Sequence, residues 1–182
     1  MNVLGPRIRI RPTRHEDLPF LQSLWNDGTV MRYKGYPNGM HVSEAGMERW
    51  WSTTPQSHRS DISLSSLATP HGLIELLDGT PIGEFTYSID AHRRAGIDLK
   101  LAADYWGHGL ATETLTIAIR EIFATTAVTT ILVEPSSENV AAHRLYCRCG
   151  FHPAPTENHP DRWECTRADF ANRDKAYLAE VA

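Results

Sequence analysis

The chain has 182 residues, of which 41% are hydrophobic and 22% charged, with a net charge of −4 and a pI near 6.1. These values are typical of a single globular domain over residues 1–182, and they exclude a disordered chain. No run of Lys and Arg exceeds two residues, and no apolar run approaches the roughly 20 residues of a membrane span, so we expect a cytoplasmic protein that binds neither nucleic acid nor membrane.

The first part of the chain predicts one strand, two helices and an intervening loop. Arginine and isoleucine alternate over residues 7–11, which is the pattern of a half-exposed strand. Apolar residues at helical spacing predict helices over 16–25 and 44–51. Between them, residues 30–40 are rich in glycine, proline and aromatic residues and predict a loop. Residues 52–71, with a short apolar patch, predict no element.

The second part of the chain predicts strands that alternate with helices. Five segments have the β-branched or alternating apolar residues of strands, over 73–77, 82–89, 97–101, 128–133 and 162–167. An Asp-Gly dipeptide between the first two predicts a hairpin turn. Helices are expected over 109–124 and 138–149, and a polar helix or tail follows the last strand. A hairpin followed by strand–helix repeats predicts a mixed α/β sheet.

One segment with the features of a ligand-binding site is a glycine turn (residues 106–109) between a predicted strand and a predicted helix. Gly107 and Gly109 let the backbone bend sharply and approach a ligand closely. The N–H groups from Gly107 to about Ala111 then point outward at a helix N-terminus, which makes a phosphate or pyrophosphate site. A plain tight turn is the alternative. The segment lacks the third glycine of a dinucleotide fingerprint and the lysine of a P-loop.

A second such segment is the predicted helix over residues 138–149. Asn139, Ala142 and Tyr146 share one face of this helix, and the small residue between an amide and a phenol leaves room for a ligand. In the alternative interpretation, Tyr146 packs in the core and Asn139 is a polar residue of the first helical turn.

Together, the two segments resemble the GNAT superfamily of N-acetyltransferases. In that family a Gln/Arg-x-x-Gly-x-Gly/Ala turn binds the pyrophosphate of coenzyme A, and an Asn-x-x-Ala-x-x-x-Tyr-x-x-x-Gly-Phe helix follows. Residues 106–111 and 139–151 match these motifs, and residues 106–113 are most similar to the branch of ribosomal-protein N-terminal acetyltransferases. Trp106 stands where the family has Gln or Arg, so backbone N–H groups have to supply most contacts to the pyrophosphate.

The resemblance implies a fold and a reaction. The fold has a family-like core over about residues 8–170. It is a mixed, mostly antiparallel sheet of about 6–7 strands flanked by about four helices, with a splayed strand pair that forms the coenzyme A cleft. The reaction is direct attack of a primary amine on acetyl-CoA, without an acyl-enzyme. The amine belongs to a small molecule or a peptide N-terminus, and homodimers are common among relatives. A non-catalytic, CoA-binding regulatory module of the same fold is the alternative. The three cysteines and nine histidines lack metal-site spacing, so no metal is expected.

The resemblance also implies which residues form the site. Cofactor contacts are implied on a strand, the glycine turn and a helix, at Leu99, Lys100, Leu101, Gly107, His108, Gly109, Leu110, Ala111, Thr112, Asn139 and Tyr146. Tyr146 matches the tyrosine that hydrogen-bonds or protonates the departing thiolate. Because a free phenol has a pKa of about 10 and a thiol about 8.5, hydrogen bonding is favoured over complete proton transfer.

The general base has two candidates. Glu84 and Asp98 lie on neighbouring predicted strands near the expected position of the acetyl group, and each is a candidate base or water relay. In the alternative interpretation both are solvent-facing strand residues. Glu113 is expected to be structural, since a carboxylate in the first turn suits the helix dipole. The aromatic residues that either line the acceptor groove or fill the core are Tyr33, Tyr36, Trp50 and Trp51.

Overall fold

The computed structural model describes residues 1–54 and 71–180, with side chains to residue 173. Its strands are Val3–Leu4 (β1), Ile8–Pro12 (β2), His71–Leu76 (β3), Pro81–Ile89 (β4), Arg94–Leu101 (β5), Thr130–Val133 (β6), His152–Pro153 (β7) and Trp163–Thr166 (β8). These eight strands form one sheet in the order β1-β2-β3-β4-β5-β6-β8-β7. Neighbours are antiparallel except β5 and β6, which are parallel.

The predicted mixed, mostly antiparallel sheet is therefore confirmed. The sheet has eight strands, whereas about 6–7 were predicted. The strands β1 and β7 were not predicted, because each has two residues and is too short to show an alternating pattern in the sequence. The unassigned stretch 52–71 includes the end of α3 at Thr53 and the start of β3 at His71. Its apolar patch lies in residues 55–70, outside the described residues.

Six helices lie within the described residues, against about four implied by the resemblance. They are Leu18–Asn26 (α1), Gly28–Met31 (α2), Glu44–Thr53 (α3), Leu110–Thr125 (α4), Val140–Arg148 (α5) and Arg167–Glu180 (α6). The loop predicted over 30–40 instead begins with the end of α2 and a 3-10 turn, Arg32–Lys34. Asp27 explains this difference, because it follows the last residue of α1 and its side chain accepts a hydrogen bond from the Thr29 N–H, 2.7 Å away. None of the helices in these parts of the chain is long and apolar enough to cross a bilayer.

Both faces of the sheet are covered by helices. On one face, Leu115 and Ile119 of α4 are fully buried in a core that includes Ile74 of β3. On the other face, Leu21 of α1 packs with Leu73 in a smaller core that also includes part of α3. Adjacent residues of a strand point to opposite faces, so Leu73 and Ile74 serve the two cores separately. Each fully buried aliphatic side chain stabilises the fold by about 1.5–3 kcal/mol, which makes the central strands a rigid frame.

β5 separates from β6 partway along its length. It pairs with β4 from Ala95 to Leu101, but it pairs with β6 only from Arg94 to Gly96. The Ala102 N–H donates to the Ile82 carbonyl, 2.9 Å away, which fixes the hydrogen-bond alternation along the β4–β5 ladder. The backbone groups of even-numbered β5 residues therefore point to β4, and those of residues 97, 99 and 101 point to the gap. We call this gap the β5–β6 cleft; it is the splayed strand pair that the resemblance implies.

Candidate active site

The glycine turn follows β5 and leads directly into α4. Gly107 and Gly109 have φ angles of +80° and +76°, a backbone conformation that residues with a Cβ rarely adopt. The first intrahelical bond runs from the Glu113 N–H to the Gly109 carbonyl, 3.1 Å away. Helix geometry leaves the N–H groups of residues 110–112 without an intrahelical acceptor. Because residues 106–109 are exposed, this turn has the form of the predicted pyrophosphate site.

Trp106 folds back onto the end of β5. Its indole N–H donates to the Leu101 carbonyl, 2.8 Å away, and its side chain remains 42% exposed. One cleft-facing acceptor of β5 is thereby engaged, whereas Leu99 keeps its backbone directed into the cleft. Lys100 was also predicted as a backbone contact for the cofactor, but its peptide groups face β4, opposite Glu84. The Lys100 backbone is therefore directed away from the cleft, because alternate residues of a strand direct their hydrogen-bonding groups to opposite sides.

Asn139 is the N-cap of α5. Its side-chain oxygen accepts a hydrogen bond from the Ala142 N–H, 3.1 Å away. This is the structural role that the sequence left open for it. The amide NH2 group of Asn139 is the part of the side chain that this bond leaves for a ligand.

Glu84 is a buried carboxylate with three donors. It is 2% exposed, and it accepts hydrogen bonds from Trp25 Nε1 at 2.8 Å, His71 Nε2 at 3.0 Å and Lys100 Nζ at 2.6 Å. Burial acts to raise the pKa of Glu84, but the His71 hydrogen bond and the Lys100 charge outweigh it and lower that pKa to about 2. The solvent-facing interpretation of Glu84 is therefore wrong, and its low proton affinity disfavours a role as general base.

Asp98 is connected to Glu84 through Lys100 and is more exposed than Glu84. Its side chain is 31% exposed, and its two oxygens lie 2.7 Å from Lys100 Nζ and 2.9 Å from Lys34 Nζ. Burial acts to raise the pKa of Asp98, but the two ammonium groups outweigh it and lower that pKa. We call the connected set the carboxylate network; its members are Thr13, Trp25, Lys34, His71, Glu84, Asp98 and Lys100.

Tyr146 reaches this region from α5. Its ring packs against Phe151, with 5.3 Å between ring centroids, and the side chain is half-buried. Burial raises the pKa of the Tyr146 phenol, and the negative charge of Asp98 raises it further. The phenol therefore stays protonated at neutral pH and acts as a hydrogen-bond donor. Asp98 of β5 and Tyr146 of α5 are 48 residues apart in the sequence, yet they lie near enough for the Asp98 charge to act on the phenol.

The profile of the family described as acetyltransferase (GNAT) domain matches residues 7–152. The chain belongs to the GNAT acetyltransferase family. This membership confirms the predicted enzyme class, an acyltransferase with acetyl-CoA as its acetyl donor, and it agrees with the fold and the β5–β6 cleft.

Relatives of this GNAT chain include enzymes named for small amines. It is 26% identical over 153 residues to spermidine N(1)-acetyltransferase of Escherichia coli K12, covering 79% of this chain and 72% of that protein. Spermidine N-acetyltransferase from Vibrio cholerae, solved with CoA and spermine, has a TM-score of 0.73 at 21% identity, over 91% of this chain and 98% of that one. An aminoglycoside acetyltransferase solved with coenzyme A has a TM-score of 0.71 at 21% identity, with the same coverage. These relatives do not represent the ribosomal-protein branch that the turn sequence suggested.

Several members of the carboxylate network were not predicted as site residues from the sequence. The contact between Lys100 and Glu84 was readable in principle, because opposite charges on paired strands attract across the ladder. Lys34 gave no such signal, since it lies in a segment interpreted as a loop. His71 lay at the end of the unassigned stretch, and Trp25 was read only as part of a helix. Of the four aromatic candidates, Trp50 and Trp51 pack against the core of α1 and α3.

Proposed function

We propose that this GNAT protein transfers the acetyl group of acetyl-CoA directly to a primary amine of a small cationic molecule, between Asp98 and Tyr146. One observation carries the proposal: the accessible carboxylate of Asp98 already holds an alkylammonium ion, that of Lys34, 2.9 Å away. A substrate ammonium has the same charge and geometry as the Lys34 side chain. The names of the relatives, which specify spermidine and aminoglycosides, support an acceptor of this kind.

In the proposed reaction, the cofactor lies in the β5–β6 cleft. The glycine turn and the first N–H groups of α4 bind its pyrophosphate, and the Leu99 backbone pairs with its pantetheine arm. A cleft-facing N–H of β5 donates to the oxyanion that forms when the amine attacks the thioester carbon. The proposed cofactor contacts are Leu99, Leu101, Gly107, His108, Gly109, Leu110, Ala111, Thr112, Asn139 and Tyr146.

Asp98 and Tyr146 have separate roles in the proposed reaction: Asp98 acts on the substrate ammonium, and Tyr146 acts on the departing thiolate. Freeing an alkylamine of pKa about 10.4 at pH 7 costs about 4–5 kcal/mol. Asp98 binds the ammonium and, through water, passes its proton to the solvent; Glu84 holds Lys100 beside Asp98 rather than accepting the proton itself. The C–N bond forms first and gives the tetrahedral oxyanion. When the oxyanion collapses, the C–S bond breaks, the nitrogen loses its remaining extra proton through the same water, and the Tyr146 hydroxyl donates a hydrogen bond to the departing thiolate. A phenol with a raised pKa suits donation of a hydrogen bond better than loss of its proton.

An acceptor panel tests the proposal. Spermidine, spermine, kanamycin and a peptide with a free N-terminus are each incubated with acetyl-CoA and the protein, and release of the CoA thiol is followed. We expect turnover with one or more of the small cationic amines. Turnover with the peptide alone would instead support the ribosomal-protein branch. CoA binding without turnover on any amine would support the non-catalytic module, the alternative that Trp106, in the position of the family's Gln or Arg, leaves open.

Three further features belong to the proposal. The protein folds as one domain over residues 1–182, it works in the cytoplasm, and it forms a homodimer. Size measurement in solution tests the last of these.

A further inference from the structure

Arg7, which precedes β2, contacts both the glycine turn and the helix that follows it. Its Nε donates to Glu113 Oε2 at 2.7 Å, and its Nη1 donates to the His108 carbonyl at 2.9 Å. The backbone N–H of Arg7 donates to the other Glu113 oxygen, also at 2.7 Å. The Arg7 side chain is 52% exposed and that of Glu113 is 9% exposed. One guanidinium therefore bridges the glycine turn and the first turn of α4.

The bond to His108 fixes the direction of the next peptide group. The described residues contain no cis peptide, so the His108 C=O and the Gly109 N–H point in opposite directions. With the carbonyl directed at Arg7, the Gly109 N–H is directed away from Arg7. Of the two residues that flank this peptide plane, Gly109 has no side chain that would restrict it. The bond from Arg7 to the His108 carbonyl therefore helps to hold the plane in this orientation.

The bond to Glu113 has an electrostatic consequence. Glu113 places a carboxylate in the first turn of α4, where the proposed diphosphate binds. The Glu113 carboxylate and a diphosphate bound at the same end of the helix would repel each other. Arg7 pairs with the carboxylate through its side chain and so offsets this charge.

We propose that Arg7 is a positioning residue for the diphosphate of coenzyme A: it orients the Gly109 N–H and neutralises Glu113. Arg7, just before β2, places a cation beside the glycine turn. Trp106, which stands where the family has Gln or Arg, places none there. This inference rests on the proposed use of acetyl-CoA by the glycine turn.

Arg7→Met tests the role, because it removes the guanidinium and leaves the backbone N–H of residue 7 bonded to Glu113. We expect a roughly tenfold increase in the KM for acetyl-CoA and in the Kd for CoA, because the Gly109 N–H is no longer held in place and the Glu113 charge is no longer offset. The kcat and the KM for the amine should stay unchanged. Arg7→Lys retains the charge without the two-pronged geometry, so its loss should be smaller. Arg14→Met, at an exposed arginine paired with Glu16, is the matched control.

Two further measurements separate positioning from general structure. S-acetylpantetheine lacks the diphosphate, so Arg7→Met should leave its kcat/KM unchanged. Adding Glu113→Gln to Arg7→Met should recover part of the CoA affinity, because it removes the uncompensated charge. Equal losses with both acetyl donors, or an unchanged Kd for CoA, would overturn the inference while leaving the proposed function intact. A wild-type protein that binds no CoA would contradict the proposed function as well.

Discussion

The proposed cofactor side of the cleft is built from backbone, and the proposed acceptor side is built from side chains. Residues 97–113 form the proposed cofactor side as one continuous strand, turn and helix with backbone N–H groups at the turn. The carboxylate network forms the proposed acceptor side from Thr13, which follows β2, and from residues of α1, the 3-10 turn Arg32–Lys34, β3, β4 and β5. A backbone site tolerates changes of side chain but depends on its glycines. A network of buried charges depends on every partner, because each unpaired charge is poorly solvated.

The first prediction concerns the buried centre of the network. Glu84→Gln removes the charge that three donors share, and we expect it to destabilise the protein by about 3–5 kcal/mol. Urea denaturation followed by circular dichroism measures this loss. Glu157→Gln, at an exposed glutamate, is the control and should change stability by less than about 0.5 kcal/mol. A near-neutral Glu84→Gln would contradict the account of the network.

The pKa of Glu84 adds a pH dependence to this prediction. The pKa is lowered from 4.5 to about 2 on folding, so its contribution to stability is complete above pH 4.5 and is lost as the pH falls to about 2. The Glu84→Gln variant should lose less stability than the wild type over this interval.

The second prediction compares two glycines with the same backbone conformation. Gly107 and Gly79 have φ angles of +80° and +90°, and a Cβ at either would meet no atom within 4 Å. Alanine at either position should therefore destabilise by about 1–2 kcal/mol through backbone strain. Only Gly107→Ala should also weaken CoA binding, by about tenfold, because Gly79 lies in the β3–β4 hairpin turn. Calorimetric titration with CoA distinguishes the two variants, and equal affinities would contradict the backbone site.

The third prediction concerns the ion pair at the mouth of the network. Lys34 has to leave Asp98 before a substrate ammonium can bind there, so Lys34→Gln should lower the KM for the amine. Exposed ion pairs contribute about 0.2–1 kcal/mol, which corresponds to a decrease of up to about fivefold. Arg32→Gln, on the same turn but with its guanidinium over the Tyr33 ring, is the control. A raised KM in Lys34→Gln would mean that Lys34 assists substrate binding.

The same contrast explains what the sequence could reveal. The strand at 97–101, the glycine turn and the helix after it were predicted because their signals are local: alternation, two glycines and an apolar stripe. The splayed geometry came from the resemblance, whereas the residues of β5 that face the cleft follow only from the register with β4. Lys34 and His71 could not be predicted, because their roles arise only when distant segments meet at Asp98 and Glu84.

The most direct test of the central claim is the kcat of Tyr146→Phe with acetyl-CoA and the best acceptor of the panel. The account predicts a decrease of about 10²-fold or more, with the Kd for CoA unchanged, because only the hydrogen bond to the departing thiolate is lost. Tyr87→Phe is the matched control, since that buried hydroxyl has no hydrogen-bond partner among the described residues. An unchanged kcat in Tyr146→Phe would contradict the claim that acetyl transfer takes place between Asp98 and Tyr146.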